Sequence, residues 1–227
     1  MLCWICGSEA ETGEHMIKVT DLADLFGHTT THKPLYRRID CGPQEKVQGK
    51  NSTKLKFQTR LCDYCNNTRT QPHDRSWEAL SKFLRNRELK ILPGDVVRVA
   101  KAFKVGIRPG LLGVHLYFLK MFGCLILDSE VPLDTKPLAE SILTGEPHPD
   151  IYLCFLAVTS KKLQDQAMVT PVQTININGN LIGAQWFYFV GRVGVHITYA
   201  PHIHLNSDRV HLWHPRFTTK TLTLDGK

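Results

Sequence analysis

Four cysteines of this chain come as two pairs of equal spacing, Cys3-Trp-Ile-Cys6-Gly and Cys62-Asp-Tyr-Cys65-Asn. Two thiolates separated by two residues can turn onto one ion, and two such pairs complete the soft tetrahedron that zinc prefers. The 55 residues between the pairs exceed what a minimal zinc ribbon needs, but a long loop adds little closure entropy. The other chemistry of a CxxC turn, thiol–disulfide exchange, requires a thioredoxin-like βαβ setting that the surrounding pattern lacks. Zinc held by cysteine at all four positions is structural, because catalysis at zinc needs an open position. Any reaction must then come from other residues, and the adjacent pair Glu14-His15 after the first cysteine turn raises that question. A histidine can take a proton from water near neutral pH, and a carboxylate can hold a hard divalent ion beside it. Neighbouring side chains of a strand face opposite ways, so these two serve one site only at a ribbon end or turn.

The elements that must position these residues are partly written in the pattern. Met16 to Phe26 reads as a turn and a short helix, and residues 27–60 as a polar, basic loop or extended ribbon. Leu55, Phe57 and Thr59 alternate with Lys56, Gln58 and Arg60, as in a strand. Trp77, Leu80 and Leu84 form the apolar stripe of a helix that Asp74 can N-cap after Pro72. Pro93-Gly94 marks a boundary, dividing the chain into residues 1–92 and 93–227. Beyond it, Asp95 is read as the cap of a helix over Val96–Phe103, and residues 106–113 as a Gly/Pro-rich turn. An apolar helix near residues 111–127 and a shorter one over Pro137–Leu143 follow. Strands are expected at Ile151–Val158, Val172–Ile177, Leu181–Val190, Val193–Tyr199 and Val210–Trp213, with Asn178-Gly179-Asn180 as a hairpin turn. The whole reads as α+β, a small zinc-stapled part followed by a mixed α+β part, with no internal repeat.

The order CxxCG, then Glu14-His15-Met16-Ile17-Lys18, then CxxCNxxRT over Cys62 to Thr70 resembles the cysteine-bearing type of HNH endonuclease. The resemblance covers roughly residues 1–90. It implies a ββα-metal fold, in which a two-stranded ribbon and a helix grip one divalent ion while the cysteines hold a separate structural zinc. By the same resemblance His15 is the general base and Glu14 binds the catalytic ion, Mg²⁺ or Mn²⁺. Asn66 stands where many relatives have histidine; its carbonyl oxygen suits magnesium better than zinc. Relatives carry an asparagine before the second CxxC that orients the histidine; here Gln58 and Thr59 are the stand-ins. His73 and Asp74 are further candidates for the ion, His73 alternatively a surface turn residue. The implied reaction is hydrolysis of a DNA phosphodiester, in prokaryotic or phage restriction, defence or mobile-element biology. The competing reading is a zinc-ribbon nucleic-acid-binding or regulatory module without catalysis.

The chain has 227 residues, 42% of them apolar, and a formal charge of +7, a balance that suits a polyanion. From Lys33 to Arg60 there are eight Lys or Arg against two acids. Lys18, Lys33, Arg37, Arg38, Lys46, Lys50, Lys54, Lys56, Arg60 and Arg69 are candidate phosphate contacts, which position a duplex without reading sequence. DNA is the expected partner, with RNA and a homodimer left open. No signal peptide is read at the start, and the apolar run Leu111–Leu127 contains Lys120 and His115, so it is expected to be a buried helix. Cys41, Cys124 and Cys154 are scattered, which with the CxxC pairs points to a reducing, cytoplasmic setting. His202, His204, His211 and His214 lie within thirteen residues, but without a well-spaced carboxylate or cysteine they are set aside as a second metal site. Trp186 to Phe189 place two aromatic rings on each side of a sheet.

Overall fold

Residues 107–128 are apolar almost all round, and the fold is built about them. In the computed structural model the described residues are 1–30, 32–39, 42–86, 88–104, 106–201, 211–217 and 220–226. Cys41, His202, His204 and Val210 lie outside them. The order of elements is β1 (Thr12–His15), α1 (Val19–Phe26), β2 (Leu35–Arg37), β3 (Glu45–Val47), β4 (Lys56–Leu61), α2 (Gln71–Arg85) and β5 (Val96–Arg98). Then come α3 (Ile107–Asp128), α4 (Lys136–Thr144), β6 (Ile151–Ala157), β7 (Ala167–Val169), β8 (Gln173–Ile177), β9 (Asn180–Val190), β10 (Val193–Tyr199) and β11 (Thr221–Gly226). The fold is a mixture of helices and sheets.

The largest sheet runs β5-β11-β6-β10-β9-β7, with β8 also paired to β9. β11 is parallel to β6 and the remaining pairs are antiparallel. The β8–β9 hairpin turns at Asn178 (φ 51°) and Gly179 (φ 77°), both left-handed, which is why an Asn-Gly pair sits there. Trp186 and Tyr188 point into the main core, while Phe187 and Phe189 stack on the opposite face at 5.8 Å. β1 and β4 form a separate antiparallel ribbon, and β2 and β3 a short one.

α2 lays the expected stripe of Trp77, Leu80 and Leu84 on α3, all three buried. The Trp77 ring meets Tyr117, Phe118 and Tyr188 at centroid distances of 5.9, 4.8 and 5.5 Å. One hydrophobic cluster therefore runs from Cys3, Phe57 and Leu61 through α2 and α3 to β6, β9 and β10, across the passage at residue 92. α3 is long and apolar enough to cross a membrane, but 89% of its apolar window is buried inside this fold. Glycine permits its closest contacts: a Cβ on Gly123 would lie 2.4 Å from the Trp4 ring, so the first cysteine turn rests directly on α3. Buried Asp21 ties α1 in place. It accepts bonds from Trp77 Nε1 (2.8 Å), Ser81 Oγ (2.7 Å), Arg85 Nη2 (2.8 Å) and Tyr188 Oη (3.0 Å).

Several local expectations are corrected. The stretch expected as helix Val96–Phe103 opens as β5, with only a short 3₁₀ turn at Ala100–Ala102. Pairing of Val96 to Arg98 with Thr221 to Thr223 overrides helical spacing there. The turn expected over residues 106–113 is already the start of α3, because proline at position 109 falls in the first turn, where its missing N–H has no partner to lose. Asp74 is not an N-cap: α2 begins at Gln71, and Asp74 is buried within its first turn. Trp213 makes only an isolated bridge to Leu153, not a strand.

Candidate functional site

The first cysteine turn is closed by backbone bonds. Cys3 N–H donates to Ser8 O and Gly7 N–H to Cys3 O, both at 2.8 Å, with Gly7 left-handed at φ 76°. The second follows β4 directly, in a wide turn where Thr70 N–H reaches back to Cys65 O. All four Sγ atoms lie within 4.8 Å of one another, and Cys6 Sγ to Cys62 Sγ is 3.5 Å. Thiolates about 2.3 Å from a tetrahedral zinc stand roughly 3.8 Å apart, so the cluster fits a structural metal such as zinc. Burial pushes the Cys62 and Cys65 thiols up, while the Ser8 hydroxyl draws Cys6 down to about 6. A cation among them is what would hold all four as thiolates. Arg69 Nη1 donates to Cys65 Sγ at 3.2 Å and stacks over Tyr64, so this expected phosphate contact belongs to the metal cluster.

Beside the cluster, β1, β4 and the turn after Cys65 surround an open cleft of ≈ 440 Å³. Glu14, His15 and Asn66 all line it, with Lys18, Lys56 and Arg60. The register of β1 on β4 shifts between Gly13 and His15, and this irregularity lets two consecutive side chains serve one cleft. Glu14 is buried and runs inward; His15 is half-buried. Its Nε2 is buried with no hydrogen-bond partner among the described residues. Burial, reinforced by Lys56, Lys18 and Lys120, pushes His15 down to about 4. Asn66 Nδ2 donates to Thr12 Oγ1 at 3.1 Å, which fixes the amide and leaves its oxygen uncommitted.

The inner wall is a chain of alternating charges. Glu14 Oε2 accepts from Lys120 Nζ (2.9 Å), which also donates to Asp74 Oδ1 (2.7 Å). Asp74 Oδ2 in turn accepts from Lys18 Nζ (2.9 Å), which stands 3.5 Å from Glu78 Oε1. Asp74 therefore has both oxygens held by ammonium groups, whereas Glu14 Oε1 makes no hydrogen bond among the described residues. His73, at the head of α2, is pushed down to about 4 by burial and by Lys120, and it does not line the cleft.

Of the stand-ins expected to orient His15, Thr59 has its hydroxyl on Asp128, and Gln58 is exposed with its backbone N–H on the same carboxylate. The Gln58 and Thr59 N–H groups and the Thr59 hydroxyl all donate to Asp128, at 2.7, 2.6 and 2.5 Å. This fastens β4 to the end of α3. Of the basic candidates, Arg37 and Lys54 pair with Glu45, and Lys50 Nζ donates to Gly27 O. Arg38 and Lys46 are exposed, and none of these five lines the cleft. His211 is 3.8 Å from Asp225, while His214 is buried against His115 and bonds His148 O, so these two do not converge.

Sequence reasoning missed the roles of Lys120 and Asp128. A signal for the first was available: Lys120 is the one charged residue of the apolar run Leu111–Leu127, and a buried lysine requires an acidic partner. Compared with protein-family models, with curated proteins and with solved structures, the chain finds no match.

Proposed function

We propose that the protein is a metal-dependent endonuclease of the HNH type that hydrolyses DNA phosphodiester bonds. The observation that carries the reading is His15: a residue lining a cleft shared with Glu14 and Asn66, its imidazole neutral at pH 7 and its buried Nε2 without a hydrogen-bond partner among the described residues. Such a nitrogen is suited to take a proton from an attacking water. Glu14 Oε1 and the Asn66 amide oxygen are the hard donors that would hold a divalent ion, and this set fits magnesium or manganese. When bound, that ion stabilises charge developing on the phosphate. Lys18, Lys56 and Arg60 would hold the flanking phosphates. A base near 4 is neutral at pH 7 but weak. A phosphodiester between the same lysines would offset their charge and raise it toward its useful range. The β1–β4 ribbon followed by α2 supports the resemblance to a ββα-metal unit. The structural zinc would keep that ribbon and helix in register.

A non-catalytic zinc module is the competing reading. It draws on the commitment of Glu14 Oε2 and both Asp74 oxygens to lysines. Nicking of supercoiled plasmid separates the two, with Mg²⁺, Mn²⁺ or chelator, beside a His15→Ala variant of verified zinc content. Metal-dependent cutting that disappears in the variant supports the nuclease. DNA retention without cutting by either protein supports the module.

A further inference from the structure

The ammonium of Lys120 is completely buried, yet it comes from the helix furthest along the chain from β1 among those touching the cleft wall. No other charged side chain lies on its turn of α3, and among the described residues its ion pairs are with Glu14 and Asp74. Asp74 is already matched by Lys18, which leaves Lys120 as the direct counter-charge of Glu14. At the mouth of the cleft the exposed Glu11 carboxylate stands with Lys56 and Arg60, so the charge there is still net positive. A divalent cation approaching Glu14 in the free protein therefore meets a carboxylate that is already neutralised and pinned through its other oxygen. A phosphodiester entering the cleft reverses that balance, since it brings negative charge to the same place.

We propose that Lys120 is a positioning residue that keeps the affinity of the empty cleft for divalent ions low, so that the ion is taken up together with nucleic-acid phosphate. This rests on the nuclease reading for the role of Glu14. It makes residues 93–227 part of the site, through a residue that touches neither ion nor substrate. Coulomb attraction at a few ångströms is strong in a partly buried site, so removing one unit charge there changes ion affinity by about tenfold or more.

The test is Mn²⁺ binding followed by electron paramagnetic resonance, using full-length protein with its zinc content checked. Free wild-type protein is expected to bind Mn²⁺ weakly. Lys120→Met is expected to bind it at least about tenfold more tightly, because the competing ammonium is gone. Lys120→Gln, which retains a donor for Glu14 without the charge, is the second variant should Met prevent folding. In a His15→Ala background, a short DNA duplex is expected to tighten Mn²⁺ binding in Lys120 protein and much less in the variants. Mn²⁺ affinity that is unchanged or weaker in a folded variant overturns the proposal, as does failure of both variants to fold. If plasmid is cut but free protein already binds Mn²⁺ tightly, the nuclease reading stands and this one falls. If nothing is cut and Mn²⁺ is not bound even with DNA, the nuclease reading itself has failed.

Discussion

Acid should loosen this protein through His115, and the geometry gives both sign and size. His115 lies wholly buried on α3, where its Nε2 accepts the N–H of His148 at 3.2 Å. Its Nδ1 is buried without a partner, so the proton of the neutral ring sits there. Protonating Nε2 would destroy the His148 bond and place a cation beside His148 and His214, with Arg216 close behind. Asp150 is the neighbouring acid, and its N–H is held by His148. Burial thus holds His115 well below the ordinary histidine value near 6.5. A depressed histidine leaves the unfolded chain binding more protons. Its contribution is therefore complete above about pH 6.5 and is lost as pH falls below it. The slope is about 1.4 kcal/mol per pH unit, so moving from pH 7.5 to 5.5 removes about 1.4 kcal/mol, or roughly 3–6 °C in Tm. The assay is urea unfolding at stepped pH with zinc in excess, comparing wild type with His115→Gln. The glutamine oxygen can accept the His148 N–H without titrating. His15, His73 and the zinc thiolates titrate in both proteins and cancel in the difference. Equal pH slopes would refute the reasoning, whatever the absolute stabilities.

Three further outcomes follow from packing and pairing. Cys65→Ser should lose the bound metal, measured by atomic emission, and lower Tm sharply, because the wide turn and β4 lose their common anchor. Asp21→Asn should cost about 3–5 kcal/mol in urea unfolding, since Arg85 and the Trp77, Ser81 and Tyr188 donors lose one buried charge that serves all four. Gly123→Ala should destabilise by about 1–3 kcal/mol and shift Trp4 fluorescence, as its methyl group meets the Trp4 ring on the face of α3.

The sequence by itself determined the features whose partners are close along the chain or whose chemistry is rare. Two CxxC pairs announce one metal cluster at any loop length, because few side chains other than thiolates serve that role. The stripe of α2, the apolar run of α3 and the Asn178-Gly179 turn are local patterns, and each lies where its period or its φ angles require. Only the tertiary structure decided the rest. β5 is a strand because β11, more than a hundred residues later, pairs with it. Asp74 looks like a cap in one dimension, but Lys18 and Lys120 make it the centre of a charge chain in three. His15 shares its cleft with Glu14 only because the register of β1 on β4 shifts between Gly13 and His15, an irregularity with no sequence signature. The inner wall of the cleft comes from α3, over a hundred residues away from Glu14. An ion pair buried between distant elements is selected by where the backbone brings its members together, and local patterning carries no record of that meeting.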